Sequence, residues 1–563
     1  MSSLSDKIAH ARRLGEGAVA LSLLPYQNVA ALLRAQVAAR PDQPYLIFYD
    51  DAGTRYSWSY REFAELVYRT IRLLQAHGIG RGDRIATVSH NHAETVLHYV
   101  AAWTMGAVVV PVNLGETDDR VEYILANSDT KLAFVRAPYL ERIAHLRERL
   151  PLFKTIVQTG GAAQADYHHF TNELERYSGA PLDFPEVGLE DDVLIVYTSG
   201  TTGNPKGVVL VQQNLLTDAQ GISAWHGLTA GQRMMCVLPI HHVNGTVVTL
   251  MTPLYYGGTV VLNQKFSSPH FFERIAQEDV QVVSVVPTLL QFLLHEKSLD
   301  GQQLSLPNFR HIICGAGPLT VELAAAFEDR FRLRIVHGYG LSETTCYSCF
   351  LPVELSDGEH RQWLREFGFP SIGVPIPQNE MEIHDDKGQA LAPEQKGEIV
   401  IRGVNVMKHY FAAPEINEKT FEFGWFRSGD EGFYKLDSAG RKFFFITGRI
   451  KELIIRGGVN ISPFEIDEVL AKIPGIDKGM AVGFENDWYG EEVGAYVCLK
   501  PGAQLTESEI IAFCHGELQP HKCPKVVVFG HEFPVTSTGK YQRNKCKHLF
   551  AAYKSDQFPR KSA

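Results

Sequence analysis

The chain has 563 residues, too many for one ordinary hydrophobic core, so two or more domains are expected. With 45% hydrophobic and 21% charged residues it is not a disordered chain, and a formal net charge of −10 argues against a nucleic-acid binder. Eight cysteines in this length do not make a disulfide scaffold, so a reducing cytoplasm is the expected home.

Near the N-terminus the apolar patch 18–24 carries no convincing cleavage site, and no signal peptide is expected. Residues 28–40 have helical spacing stopped by Pro41, 45–49 read as a strand, 63–77 as a helix and 84–89 as a strand. This alternation predicts an α/β domain with mainly parallel sheets. Two uncharged stretches, 96–114 and 234–264, are broken by Gly and Pro; they read as strands and helices of a large core, not membrane spans. The charged run 354–366 reads as a solvated surface helix. Toward the C-terminus, Ser462-Pro463-Phe464-Glu465 and Thr506-Glu507-Ser508-Glu509 are capping boxes that open helices, with strand-like runs at 479–483 and 495–499 between them. A second, small unit is predicted there, and the segment GRIKELIIRGG (448–458) joins it to the first as a hinge would.

The stretch YTSGTTGNPKG (197–207) packs hydroxyls, glycines and one lysine between two β-branched runs, 193–196 and 208–211. Glycines let amides approach a ligand, hydroxyls donate to its oxygens, and Lys206 supplies a compact charge, which together describe a polyphosphate cradle. It is not a Walker loop: Pro205 precedes Lys206, and the loop joins two strands rather than running into a helix. Such a loop is expected to be mobile until nucleotide arrives. In HGYGLSETT (337–345), Tyr339 can stack on a base and Glu343 can hold a hard cation. WFRSGD (425–430) ends in Asp430, suited to accept both ribose hydroxyls, with Arg449 behind it. Lys540, in PVTSTGK, lies on the small unit and can be brought to a site and withdrawn. Cys346 and Cys349 lack the second pair that a zinc site would need and read as packing residues.

These motifs, with GEIVIRG (397–403), follow one another in the order found in the adenylate-forming superfamily, which the chain closely resembles over about 28–550. That superfamily includes acyl-CoA synthetases, peptide-synthetase adenylation domains and firefly luciferase. The resemblance implies a large multi-subdomain N-terminal α/β domain, residues 1–450, and a small mobile C-terminal α+β domain, residues 451–563. It implies that Thr198, Ser199, Gly200, Thr201, Thr202, Gly203 and Lys206 hold the β- and γ-phosphates of ATP. Gly315, Ala316 and Gly317, with His337, Gly338, Tyr339 and Gly340, line the adenine and acyl sites. Ser342 touches the α-phosphate, Glu343 binds Mg²⁺, and Asp430 and Arg449 hold the ribose. Lys451 is the hinge, Lys540 contacts the α-phosphate and the carboxylate, and Gly457 and Gly458 lie on the thiol-entry face. Ser342 stands where the family more often has Thr, and Tyr541 where it usually has an aliphatic residue. The acyl pocket is expected around His242, Asn244, Gly245, Cys314, Gly338 and Gly340, with His241 structural. No arginine falls in these segments, which disfavours a dicarboxylic substrate.

The activity implied is that of an acid–thiol ligase: ATP, a carboxylic acid and coenzyme A give acyl-CoA, AMP and pyrophosphate. Loading of a carrier-protein pantetheine in trans is the alternative within the family, and a luciferase-like oxygenase a more distant one. An ADP-forming kinase or a non-catalytic nucleotide binder is the alternative of another class. No nucleic-acid partner and no transmembrane segment are expected, and a homodimer is left open.

Overall fold

The computed structural model describes residues 3–15, 24–198, 204–301, 304–535 and 541–558. Two large sheets form the first part of the chain. One has nine strands; its six central members, Ile335–Tyr339, His311–Cys314, Val282–Val285, Arg233–Cys236, Thr259–Asn263 and Pro44–Tyr49, run parallel. The other has eight, with a parallel run from His168–His169 through Thr155–Thr159, Thr130–Arg136, Arg84–Val88 and Val108–Val112 to Asp192–Thr198. Strands such as Val108–Val112 (VVVPV) are buried at every residue, as expected where helices cover both faces of a parallel sheet.

The predicted elements of this region are present. The helix Val29–Ala39 is capped by Asn28, whose Oδ1 accepts from the Ala31 amide at 2.7 Å. The helix Tyr60–Ala76 begins three residues before the predicted start, because Ser59 and Glu62 make a reciprocal capping box. The two uncharged stretches resolve into the buried helix Ala93–Met105 with the strand Val108–Val112, and into two strands flanking the helical segments Asn244–Met251 and Thr252–Tyr256. Among the described residues no helix is long and apolar enough to cross a membrane.

The charged run departs from expectation. Its helix, Asp357–Arg365, buries His360, Trp363 and Leu364, and Trp363 stacks on Phe443 at 3.8 Å. Three residues on one face suffice to dock a helix whose remainder is solvated.

A four-stranded antiparallel sheet follows, made of Asn379–His384, Gly397–Gly403, Phe426–Leu436 and Lys442–Arg449. The last sheet holds Ile454–Arg456, Val459–Ile461, Ile476–Asn486, Gly490–Leu499 and Val526–Phe529. Two apolar clusters pack on it, and none of their side chains precedes Ile454. The helix Glu507–Glu517 has the full capping box predicted at Thr506. The box at Ser462 is only half made. Ser462 accepts from the Glu465 amide above the helix Pro463–Ala471, but the Glu465 carboxylate turns to Lys522 at 2.8 Å. A full ammonium charge outcompetes a backbone donor.

Candidate active site

The glycine- and hydroxyl-rich stretch joins Asp192–Thr198 to Lys206–Val211, which pair antiparallel with Thr198 opposite Lys206. Ser199, Gly200, Thr201, Thr202 and Gly203 lie outside the described residues. The Lys206 ammonium stands 5.2 Å from the centre of the Tyr410 ring. Burial and then repulsion by Lys451 lower its pKa, against the pull of Glu343. Lys206 and Glu343 are therefore close enough to sense each other.

Glu343 is 9% exposed, and its Oε1 accepts a 2.6 Å hydrogen bond from the Tyr410 hydroxyl. The same segment fixes the turn that carries Glu343. Met407 donates its amide to the Glu343 carbonyl at 2.8 Å, and the Thr345 hydroxyl donates to the Asn405 carbonyl at 2.6 Å. Thr345 sits at φ 67°, ψ −54°, a conformation a β-branched residue adopts only when its surroundings impose it. Ser342 begins the single 3₁₀ turn Ser342–Thr344 next to it. Tyr410 was not singled out from sequence. Its position comes from pairing of the two-residue strand His409–Tyr410 with Val208–Val209, a long-range contact no local spacing announces.

Asp430 and Arg449 face each other across one antiparallel pair, with Arg449 Nε 2.7 Å from Asp430 Oδ1. Asp430 Oδ2 accepts from the Tyr339 hydroxyl at 2.6 Å. Asp430 holds the Arg449 guanidinium well above its usual range, and burial does the same to the Tyr339 phenol. His337 is held through Nδ1 by the Ser371 carbonyl at 2.9 Å, and burial lowers its pKa to about 4.

These residues border a cavity of about 150 Å³. One wall is Ala316–Thr320, His337–Gly340, Asp430 and Arg449; the other is Phe464, Asp467, Glu468, Tyr541 and Arg543, all on the C-terminal unit. Lys540 lies outside the described residues, but its neighbour Tyr541 is in the wall. A larger hollow, about 710 Å³, lies beside Trp363 and Arg441 and holds none of the motif residues.

Ala316 holds φ 62°, and it and Gly317 reach the cavity. Gly315 does not; a Cβ there would lie 2.6 Å from the Tyr347 hydroxyl. At Gly338 it would meet the Phe350 ring at 2.4 Å, and at Gly340 the Cys346 carbonyl at 1.8 Å. These glycines serve close packing as well as ligand approach.

Of the expected acyl-pocket residues, Gly338 and Gly340 line this cavity, while His242, Asn244, Gly245 and Cys314 do not. The Asn244 amide donates to the Tyr347 hydroxyl at 3.2 Å and accepts from Ser284 at 2.8 Å. Gly245 packs against the Pro239 carbonyl, Cys314 is fully buried, and the His242 ring lies 4.4 Å from that of His241. Burial lowers the His241 pKa to about 4. Cys346 and Cys349 are buried, unpaired thiols and share no group of three metal ligands among the described residues. Lys451 is exposed in the short turn Ile450–Glu452. Gly457 and Gly458, at φ 56° and 84°, form the exposed turn between Ile454–Arg456 and Val459–Ile461.

Sequence reasoning also missed the C-terminal wall. Glu468 reaches across to the N-terminus of the helix Val321–Phe331, where Oε2 accepts from the Val321 amide at 3.0 Å. Burial raises its carboxyl pKa well above the usual range. Asp467 forms a buried ion pair with Arg543. Acidic residues inside a helix ordinarily face water, so only the docked surface reveals these two.

A family model described as "AMP-binding enzyme" matches residues 33–411, and one described as "AMP-binding enzyme C-terminal domain" matches residues 465–540. The chain is 33% identical to a sulfoacetate–CoA ligase of Cupriavidus necator, over 92% of this chain and 97% of that protein. It is 32% identical to an oxalate–CoA ligase of Arabidopsis thaliana, over 87% and 93%. Among solved structures it resembles ATP-bound MatB from Rhodopseudomonas palustris, with a TM-score of 0.82 and 26% identity over 94% and 100% of the two chains. Its fold also matches an anthranilate CoA ligase in complex with anthranoyl-AMP, with a TM-score of 0.84 and 23% identity over 95% and 99%. The cradle strands, the Glu343 turn, the Asp430–Arg449 pair and the docked C-terminal unit thus belong to a known architecture: the chain is a member of the AMP-binding enzyme family, in its acid–CoA ligase branch.

Proposed function

We propose that the cavity beside Tyr339, Asp430 and Arg449 holds the nucleoside of ATP while a carboxylic acid attacks the α-phosphorus, and that coenzyme A then takes the acyl group. The observation that carries this reading is the buried Tyr339–Asp430 pair with the half-buried Arg449, at one end of a cavity closed by the C-terminal unit. Asp430 and Arg449 would hold the ribose, and Lys206, with Thr198 and the rest of its loop, the β- and γ-phosphates. Ser342 would donate to the α-phosphate.

Attack of one anion on another leaves little for covalent catalysis, so positioning and neutralisation of charge supply the rate. Glu343 fits a hard cation: it is a carboxylate with one oxygen fixed by Tyr410 and capacity at the other. Mg²⁺ held there would offset phosphate charge. Lys540 would supply the second positive charge, at the α-phosphate and the attacking carboxylate.

We place the domain boundary at 450/451, with Lys451 as hinge, because the C-terminal clusters draw on no residue before Ile454. Rotation there would withdraw Lys540 and bring Gly457 and Gly458 toward the thiol. Eight buried, unpaired cysteines support a reducing, cytoplasmic home.

For the acid we favour an uncharged acyl group, aryl or of medium length, because no arginine or lysine falls in 242–246, 314–318 or 338–340. The test is a panel of acids with ATP, Mg²⁺ and coenzyme A, read by nucleotide chromatography and pyrophosphate release. AMP and pyrophosphate are expected, with aryl and medium-chain acids turned over fastest. ADP and phosphate would overturn the chemistry. Preference for sulfoacetate or oxalate, the acids in two relatives' names, would overturn only the choice of acid.

A further inference from the structure

A cluster outside the active site has the chemistry of a metal centre. His77, His168 and Glu173 each offer a ligand atom, and these atoms all lie within 4.8 Å of one another. They come from three elements. His77 ends the helix Tyr60–Ala76, His168 lies on the edge strand His168–His169 of the eight-stranded sheet, and Glu173 lies on the short helix Phe170–Leu174. The two imidazoles meet edge to face at 4.5 Å. His168 Nδ1 is 3.5 Å from Glu173 Oε1. Tetrahedral Zn²⁺, with bonds of about 2.0–2.1 Å, needs ligand atoms roughly 3.3–3.4 Å apart, so this edge is already formed.

Burial and charge favour a cation at this point. The Glu173 side chain is 10% exposed, and an anion so placed needs a positive partner. Its partners now are His168 and Arg176, at 3.5 and 2.9 Å, with side chains 52% and 68% exposed. Arg176 can swing aside at small cost, while His168 stays as a ligand. The two helices are already joined, since Arg69, on the same helix as His77, donates to the carbonyl of Leu174, the last residue of the helix that carries Glu173, at 3.5 Å. Ligand elements tied together beforehand lose less freedom on binding.

We propose that His77, His168 and Glu173 bind one divalent transition ion of the zinc class, with water completing the shell. Two neutral imidazoles and a carboxylate select Zn²⁺ or Co²⁺ over Mg²⁺ or Ca²⁺, which prefer all-oxygen shells. The ion would fasten the outermost strand of the sheet to the helix Tyr60–Ala76.

The test is a Co²⁺ titration of the full chain, free of any affinity tag, followed by visible absorption. A saturating tetrahedral spectrum at one ion per chain is expected, displaced by Zn²⁺ and unaffected by excess Mg²⁺. His168→Ala and Glu173→Gln should each weaken binding by about tenfold or more. Zn²⁺ should raise the melting temperature of the wild type and not of His77→Ala/His168→Ala. Circular dichroism in EDTA, the same for all variants, verifies that they fold. Acyl-CoA formation should be unchanged in the variants, so the outcome is independent of the reading of the active site. A wild type without a saturable spectrum, or with one shared by the double variant, overturns the proposal.

Discussion

The hydroxyl of Tyr410 donates to Glu343 Oε1 at 2.6 Å while the ring of the same residue lies 5.2 Å from the Lys206 ammonium. One phenol thus touches the proposed cation ligand and the phosphate-loop lysine. Tyr410→Phe keeps the ring and removes the donor. A hydrogen bond to a charged group contributes about 1.5–3 kcal/mol, so adenylation should slow by roughly 10- to 100-fold, with a higher Mg²⁺ requirement. Pyrophosphate release measured against Mg²⁺ concentration reads this, and an unchanged Mg²⁺ dependence would remove Tyr410 from the site.

Asp430 serves two partners, Tyr339 and Arg449. In Asp430→Asn the guanidinium loses its counter-charge. Arg449 keeps 37% of its side chain in water, so the expected loss is about 1–3 kcal/mol of stability, short of the full cost of a stranded buried charge. AMP affinity, measured by calorimetry, should fall further than stability does. Equal AMP binding in variant and wild type would show that Asp430 only braces Arg449.

His337 supplies an acid-side effect. Its folded pKa of about 4 lies below the ordinary value of 6.5, so on acidification the unfolded chain takes its proton first. The stability that His337 contributes is whole above pH 6.5 and lost between 6.5 and 4, with about 2 kcal/mol gone at pH 5. His337→Gln can still donate to the Ser371 carbonyl but does not titrate. In urea unfolding at pH 7 and pH 5 its loss should be smaller than the wild-type loss by about that amount. His241, lowered to about 4 as well, continues to act in both proteins.

Lys540→Ala separates the half-reactions. Removal of the charge proposed to act at the α-phosphate should slow acyl-adenylate formation by about 10²–10³. Thioester formation from presynthesised acyl-adenylate should be spared. Equal damage to both halves would make Lys540 a structural residue.

The sequence carried the framework well because its signals are local. Thr506 caps the helix predicted after it, helical spacing located the helix Val29–Ala39, and the β-branched runs around 199–203 pair as strands. Asp430 and Arg449 were legible as partners because chemistry restricts what an acid after a glycine turn can do. Tyr410, Glu468 and Arg543 were not. Each acquires its neighbours through contacts more than 60 residues away in sequence: Tyr410 to Glu343, Glu468 to Val321 and Arg543 to Asp467. The acyl side shows the converse limit. Asn244 is polar and sits in the expected segment, yet its amide is taken up by Tyr347 and Ser284. Residue type suggested a ligand contact and could not announce these two internal bonds, which take up part of the amide's capacity. Trp363, with His360 and Leu364, turns a charged run into a docked helix, since one buried face outweighs the solvated remainder.

The glycines at 315, 338 and 340 have a consequence for any search for new acid specificities. Their missing side chains are occupied by the Tyr347 hydroxyl, the Phe350 ring and the Cys346 carbonyl. A mutational library that varies them would mostly sample misfolded chains, and enrichment there would report foldability rather than selectivity. Pro318, Leu319 and Ile372, one step aside, line the cavity with side chains of their own, so exchanges there alter existing packing rather than adding a side chain where none fits. The small residues of the motif are the fixed edges of the mould, and variation is tolerated along the walls between them.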